Sequence, residues 1–360
     1  MKKKFWIGVA GVALLIVAIF FGGRREDIGD RPVIKVGLVM PLSGNHARIG
    51  DDMMAATRIF ERRLLARDTR FSYQFIAEDS MLEAARSVSV AHKLVNVDKV
   101  DAIISIESRI GLAINPIAER AGVVHIAIAS DEAAARGRFN FALAVPAEIE
   151  AKKLVRQFQK HGVGRVAILT MNQGGYIMRR DALMREVSKA GIKTVAEFTS
   201  NQGERDFRII TARMLAEKPD IVVVLAHMPD LQIFIRQLRE QNKTIPITTK
   251  ETFGFLDDKS LVDGMYYVDV PALADWFVRD MRIETGRDST PMAEYQYAAL
   301  DVIVSGFEYA GPDTAAVADA IPNMVFTSAI DEFGFSPEGV AQTAPSLRMV
   351  KNGVAVLVKE

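Results

Sequence analysis

Short apolar runs recur along the chain, separated by segments whose apolar positions fall every three or four residues. "VIKVGLVM" (33–40) is followed by "FSYQFIA" (71–77), "VDAIISI" (100–106) and "VVHIAIA" (123–129). Near-continuous runs of this kind predict strands of a parallel sheet covered on both faces. Between them, Ile110, Ala113, Ile114 and Ile117 fall at i, i+3, i+4 and i+7, the stripe of a helix with one buried face. A second series repeats the pattern. "VGRVAILT" (163–170), "KTVAEFT" (193–199) and "DIVVVLA" (220–226) read as strands, and Leu231, Phe234, Ile235 and Leu238 form another single-face stripe. Two strand–helix series predict an α/β fold of two doubly wound, Rossmann-like lobes.

The connection "NFALAVPAE" (140–148), with Pro146 near its turn, predicts a crossing between lobes. After "MYYVDVPALADWF", the small and apolar residues of "AEYQYAALDVIVSGFEYAG" suggest a helix returning to the first lobe. The last segment, from Phe326, reads as strands and turns punctuated by Gly334, Pro337 and Gly339. This predicts lobe 1 as 32–146 with 272–325, lobe 2 as 147–271 with 326–360, and a multi-strand hinge between them. A chain of 360 residues is long enough for two cores.

The amino terminus, "MKKKFWIGVAGVALLIVAIFFGG" (1–23), places three lysines before an uninterrupted apolar run. This is either a long secretory signal or a membrane anchor, and in both cases the lysines mark the cytoplasmic end and the remainder is exported. Cleavage after Gly23 would set Phe21 where a small residue is required, which favours an uncleaved inner-membrane anchor. The charged linker 24–31 would then keep the body near the bilayer.

Composition removes several function classes. Lys+Arg and Asp+Glu are both 45, so no overall field attracts nucleic acid. Without cysteine there is no thiol nucleophile, disulfide or lipid-modified cysteine. The five histidines, at 46, 92, 125, 161 and 227, show no zinc-binding spacing, and no GxSxG elbow is present. No catalytic residue, metal or cofactor is expected.

The loop "MPLSGNHARIGDD" (40–52) follows the first strand as phosphate loops do, but it lacks the Gly-Lys-Ser/Thr ending, and Asp51 with Asp52 would repel phosphate. Gly44 and Gly50 do not make a dinucleotide fingerprint. Instead, "IKVGLVMPLSG", Gly50 before a long helix, "AGVVHIAIAS" and "PDIVVVLAHMPDLQIFIRQLREQ" together resemble the periplasmic leucine/isoleucine/valine-binding protein family, over Pro32 to Glu360. The resemblance implies a type I periplasmic binding fold. It also implies a small amino-acid-like ligand clamped between lobes, and an ABC permease or membrane sensor as partner. The alternative is an anchored receptor-like or interaction domain with a degenerate cleft.

The resemblance also assigns candidate ligand-binding residues. Ser108 matches the family serine that hydrogen-bonds a ligand carboxylate; it could equally be a helix N-cap. Ser130 ends the next strand, and Asp131 falls on a family threonine. A carboxylate there would repel a ligand carboxylate by roughly 4 kcal/mol at about 4 Å and an effective dielectric near 20. With Ala144 standing where many relatives carry arginine, an acidic cleft and a cationic or amide-bearing ligand are expected. His227 takes the place of a family aromatic, and Glu251, 24 residues on, that of the glutamate that pairs with a ligand ammonium. Glu148 and Tyr176 are weaker matches.

Overall fold

The structure, a computed structural model, describes residues 31–287 and 289–358. The amino-terminal segment and most of its linker therefore lie outside the described residues; among those described, no helix is long and apolar enough to cross a membrane.

The first lobe is built on β1 (Val33–Met40), β2 (Ser72–Asp79), β3 (Ala102–Ile106), β4 (Val124–Ile128) and β5 (Asn140–Ala142). All pair in parallel, in the order β2-β1-β3-β4-β5. Helices α1 (Ala47–Leu64), α2 (Ala84–Lys93) and α3 (Ser108–Ala121) connect them. The stripe on α3 does what its spacing predicts: Ile110, Ile114 and Ile117 are buried against β1 and β3 side chains such as Val39 and Ile103.

The second lobe opens with α4 (Ala147–Lys160) and repeats the winding: β6 (Arg165–Met171), α5 (Gly174–Lys189), β7 (Lys193–Ser200), α6 (Arg208–Ala216), β8 (Ile221–Leu225), α7 (Asp230–Gln241) and β9 (Ile247–Thr248). Its parallel order is β7-β6-β8-β9. In both sheets the order reverses beside the first strand, between β1 and β3 and between β6 and β8. At such switch points the outgoing loops diverge and leave a crevice at the strands' carboxyl ends.

The rest of the chain passes between lobes. β10 (Tyr266–Asp269) pairs with β14 (Ser346–Lys351), which pairs with β15 (Val354–Leu357), on the second lobe. Helices α8 (Asp275–Thr285), α9 (Ala293–Ala310) and α10 (Thr314–Ala320) pack on the first. Helix α9 is apolar on nearly all sides and almost wholly buried, so it forms the centre of that lobe's core with Phe60 of α1 and Phe277 of α8.

The sheet β11 (Val325–Ser328), β12 (Asp331–Phe335) and β13 (Ala341–Gln342) also belongs to the first-lobe core. This differs from the division read from sequence, which gave everything after 325 to the second lobe. The reason is aromatic packing. Phe326, Phe333 and Phe335 cluster with one another, and Phe335 meets Phe141 of the first lobe at 5.6 Å. Val340 bridges Ala142, extending the β5 edge. The core changes lobe between Ala144 and Ala147, between Val268 and Val270, and between Ala341 and Leu347. These three crossings form the hinge.

Gly50 answers the question posed by the loop after β1. A Cβ there would lie 1.9 Å from the Pro41 carbonyl oxygen, so the first turn of α1 touches the strand-end backbone directly. The glycine serves close packing of the rim.

Candidate functional site

The carboxyl ends of both sheets face each other across a cavity of about 200 Å³. From the first lobe come His46 and Ile49 after β1, Leu82 after β2, Ile106, Glu107 and Ser108 after β3, Ser130 after β4, and Ala144 after β5. From the second come Gln173, Gly175, Tyr176 and Arg179 after β6, His227 after β8, and Lys250 and Thr252 after β9. Met292, at the start of α9, closes one side. The wall is mainly apolar, with a few polar groups converging on it, which is the composition of a small-molecule site.

The rim loop carrying His46 is fixed by Asp79 at the end of β2. That carboxylate accepts from Leu42 N at 2.9 Å, Ser43 N at 3.2 Å, the Ser43 hydroxyl at 2.6 Å and Met81 N at 3.0 Å. Desolvation works against its charge, but the donors from Ser43, Met81 and Leu42 and the nearby Arg86 hold it below the usual aspartate range.

On the second lobe, Arg179 is almost buried. Its Nε donates to Glu150 at 2.9 Å and its Nη1 to the Gly175 carbonyl at 3.2 Å, while Nη2 reaches across the cleft to the Ser130 hydroxyl. Lys250 Nζ lies 4.0 Å from the other oxygen of Glu150. Pairing in this way is what allows charged groups to sit under the cleft floor. Above them, His227 donates from Nδ1 to the Met228 carbonyl at 2.7 Å and accepts at Nε2 from the Gln173 amide at 3.3 Å. Its ring meets Tyr176 at 6.0 Å and, edge-on, His46 of the opposite lobe at 5.7 Å.

Two cleft residues hold backbone conformations unusual for side chains with a Cβ. Glu107 has φ 78° and Met292 φ 100°. Each stands immediately before a helix whose amino terminus points at the cavity. Such outliers concentrate where surrounding structure must aim groups at a ligand.

A family model described as periplasmic binding protein matches residues 33–352. The chain belongs to the periplasmic binding protein family. Membership places its folded body on the extracytoplasmic side of the membrane. No curated protein sequence matches it. Among solved structures it is similar to a leucine-binding protein from Thermotoga maritima, at 19% identity over 91% of this chain and 98% of that one, with TM-score 0.82. A solute-binding protein of an ABC transporter from Rhodopseudomonas palustris BisB5, in complex with 3,4-dihydroxybenzoic acid, also matches at 19% identity, covering 91% and 96%, with TM-score 0.82. The branched-chain amino acid transporter substrate-binding protein of Streptococcus pneumoniae, in complex with isoleucine, matches at 18% identity, covering 91% and 100%, with TM-score 0.80. At these identities the likeness establishes the shared periplasmic-binding fold.

Of the residues singled out in the sequence, Ser108, Ser130, Tyr176 and His227 lie together on the cavity wall. Asp131 does not join them. Its carboxylate accepts from Ala133 N at 2.9 Å and caps the short turn Glu132–Ala135. Glu148 is turned outward to Arg185, 2.6 Å away. Glu251 opens the short helix Glu251–Phe255 beside Lys250, and its side chain lies outside the described residues. The acidic cleft expected from Asp131 and Ala144 therefore loses its aspartate, while Arg179 and Lys250 add cations on the opposite wall. Sequence reasoning missed Arg179, Lys250, Glu150, Gln173 and His46. Only Arg179 left a signal: it stands three residues after Tyr176, on the same face of α5.

Proposed function

We propose that this protein is the solute-capturing component of an ABC importer or a related sensor, closing its lobes on a small amino-acid-like molecule without making or breaking bonds. The observation that carries this reading is the cavity whose walls come from the strand ends of both sheets, so that a bound solute touches both lobes. Its carboxylate would meet the Ser108 hydroxyl and the first turn of α3, where the helix dipole favours an anion and Glu107 caps Ile110 N. An apolar body would rest against Ile49, Leu82, Ile106, Ile128 and Met292. Isoleucine and 3,4-dihydroxybenzoic acid, found in the two complexes above, share this pattern of a carboxylate on a largely apolar frame. If the solute is an α-amino acid, Glu251 would take its ammonium group. The amino-terminal apolar segment would tether the body to the inner membrane.

Thermal melting of the protein against a panel of aliphatic amino acids, their amides, and aromatic acids tests the assignment, because a ligand specific to the folded state raises the midpoint. A dose-dependent rise with carboxylate-bearing members is expected. A rise only with amines or amides would overturn the proposed placement of the carboxylate, and no rise at all would overturn the capture function.

A further inference from the structure

We propose that His46 and His227, one from each lobe, form an acid-sensitive gate that keeps the cleft shut near neutral pH and lets it open as the surroundings acidify. The release this produces rests on the capture function above; the gate itself rests on the contact between the two imidazoles.

The geometry is specific. His46 sits on the first-lobe rim, in a loop whose Leu42 and Ser43 are held to Asp79 by three hydrogen bonds. His227 sits at the end of β8 on the second lobe, fixed on one side by the Met228 carbonyl and on the other by Gln173. Their rings are 5.7 Å apart, edge to face, and because they belong to opposite lobes, separation of the lobes would part them. The hydrogen bonds of His227 are those of a neutral ring, with Nδ1 as donor and Nε2 as acceptor.

No carboxylate among the described residues pairs with either imidazole. Among the described residues, the charged and titratable groups on the surrounding walls are Glu107 from the β3–α3 junction, Tyr176 and Arg179 from α5, and Lys250 after β9. Glu107 is engaged by Ile110 N at 3.3 Å and Arg109 at 3.6 Å. Arg179 and Lys250 lean on Glu150 of α4 and oppose further positive charge in the cleft. Burial lowers the proton affinity of His46 below its ordinary 6.5, and His227 across the cleft lowers it further. Opening removes both effects, so the open form takes up the proton more readily. Closure is therefore fully supported above about pH 6.5 and weakens as pH falls below it, by up to tenfold per pH unit for one linked proton.

The chain has no cysteine, so a fluorophore pair can be placed cleanly. Ser89→Cys on α2 and Ser188→Cys on α5 give exposed positions on opposite lobes. Energy transfer in the full chain is followed from pH 8 to pH 5, alone and with leucine or 3,4-dihydroxybenzoate, in the otherwise unaltered protein and in the His46→Gln and His227→Gln variants. The gate predicts a closed fraction that drops several-fold on acidification in the unaltered protein and a flattened response in both variants. A pH-independent closed fraction, or the same acid response in both variants, would overturn it. If the lobes come together without solute but neither solute adds closure, the capture proposal fails for these ligands while the gate is judged on the unliganded curves. A chain that never closes, with or without them, overturns both.

Discussion

His125 is fully buried as the second residue of β4. It donates from Nδ1 to Asn140 on β5 at 2.9 Å and accepts at Nε2 from Ser105 on β3 at 2.8 Å. Burial pushes its pKa down to about 4, although the Asn140 bond works in the other direction. A base whose folded pKa is depressed binds its proton preferentially when unfolded. Its contribution is therefore intact above pH 6.5 and is lost progressively as pH falls from 6.5 towards 4, by about 3 kcal/mol in total. Denaturant unfolding at pH 7.5 and pH 4.5 should show a steeper acid loss in the unaltered protein than in His125→Gln. Asp131→Ala should cost about 1 kcal/mol as a lost turn cap, with solute affinity within twofold, measured by calorimetric titration. An aspartate that ends a strand reads identically as a ligand group or a cap, because both functions need an exposed oxygen at the same backbone position. The positions of Ser108, Ser130 and His227 were legible because the family resemblance set them at strand ends, and strand ends converge on the crevice whatever their detailed sequence. Arg179 and Lys250 were not: an arginine on a helix and a lysine in a loop ordinarily face water, and it is their pairing with Glu150, joined for Arg179 by Gly175 and Ser130, that draws them to the cleft.

At the scale of elements, hydrophobic period decided most of the fold. The runs predicted as strands coincide with β1, β2, β3, β4, β6, β7 and β8 to within a few residues, and the stripe Leu231, Phe234, Ile235, Leu238 is wholly buried. Where the reading misplaced an element, the cause was local ambiguity. Pro337 and Gly339 announce a turn, whereas Gly334, read as turn punctuation, lies inside β12; none of them tells which sheet is served, and packing into the first-lobe core, including the contacts with Phe141 and Ala142, docks β11–β13 there. Phe333→Ala should remove part of that aromatic cluster and destabilise the protein by about 3–5 kcal/mol in denaturant unfolding. Gly50→Ala should cost about 1–3 kcal/mol, because its Cβ would meet backbone at 1.9 Å and push α1 away from the rim. A thermal melt of the unliganded variant measures this, and solute affinity should fall with it, since His46 and Ile49 move together with that turn.

For the whole molecule, the decisive relation is that neither lobe forms the site alone. Each sheet supplies strand ends to one wall, three crossings carry the chain between them, and Arg179 already spans the gap to Ser130. Two lobes joined by three crossings favour rotation of one lobe against the other over local rearrangement; under the proposed function, closure would couple solute contact to a change in outer shape that a membrane partner could read. Calorimetric titration tests the shared site most directly, using the solute that gives the largest thermal shift with Ser108→Ala on the first lobe and Tyr176→Leu on the second. Each substitution should weaken binding about tenfold while moving the unliganded melting midpoint by no more than a few degrees. Loss of affinity from one lobe's substitution alone, with the other indistinguishable from the unaltered protein, would contradict a solute held between the two.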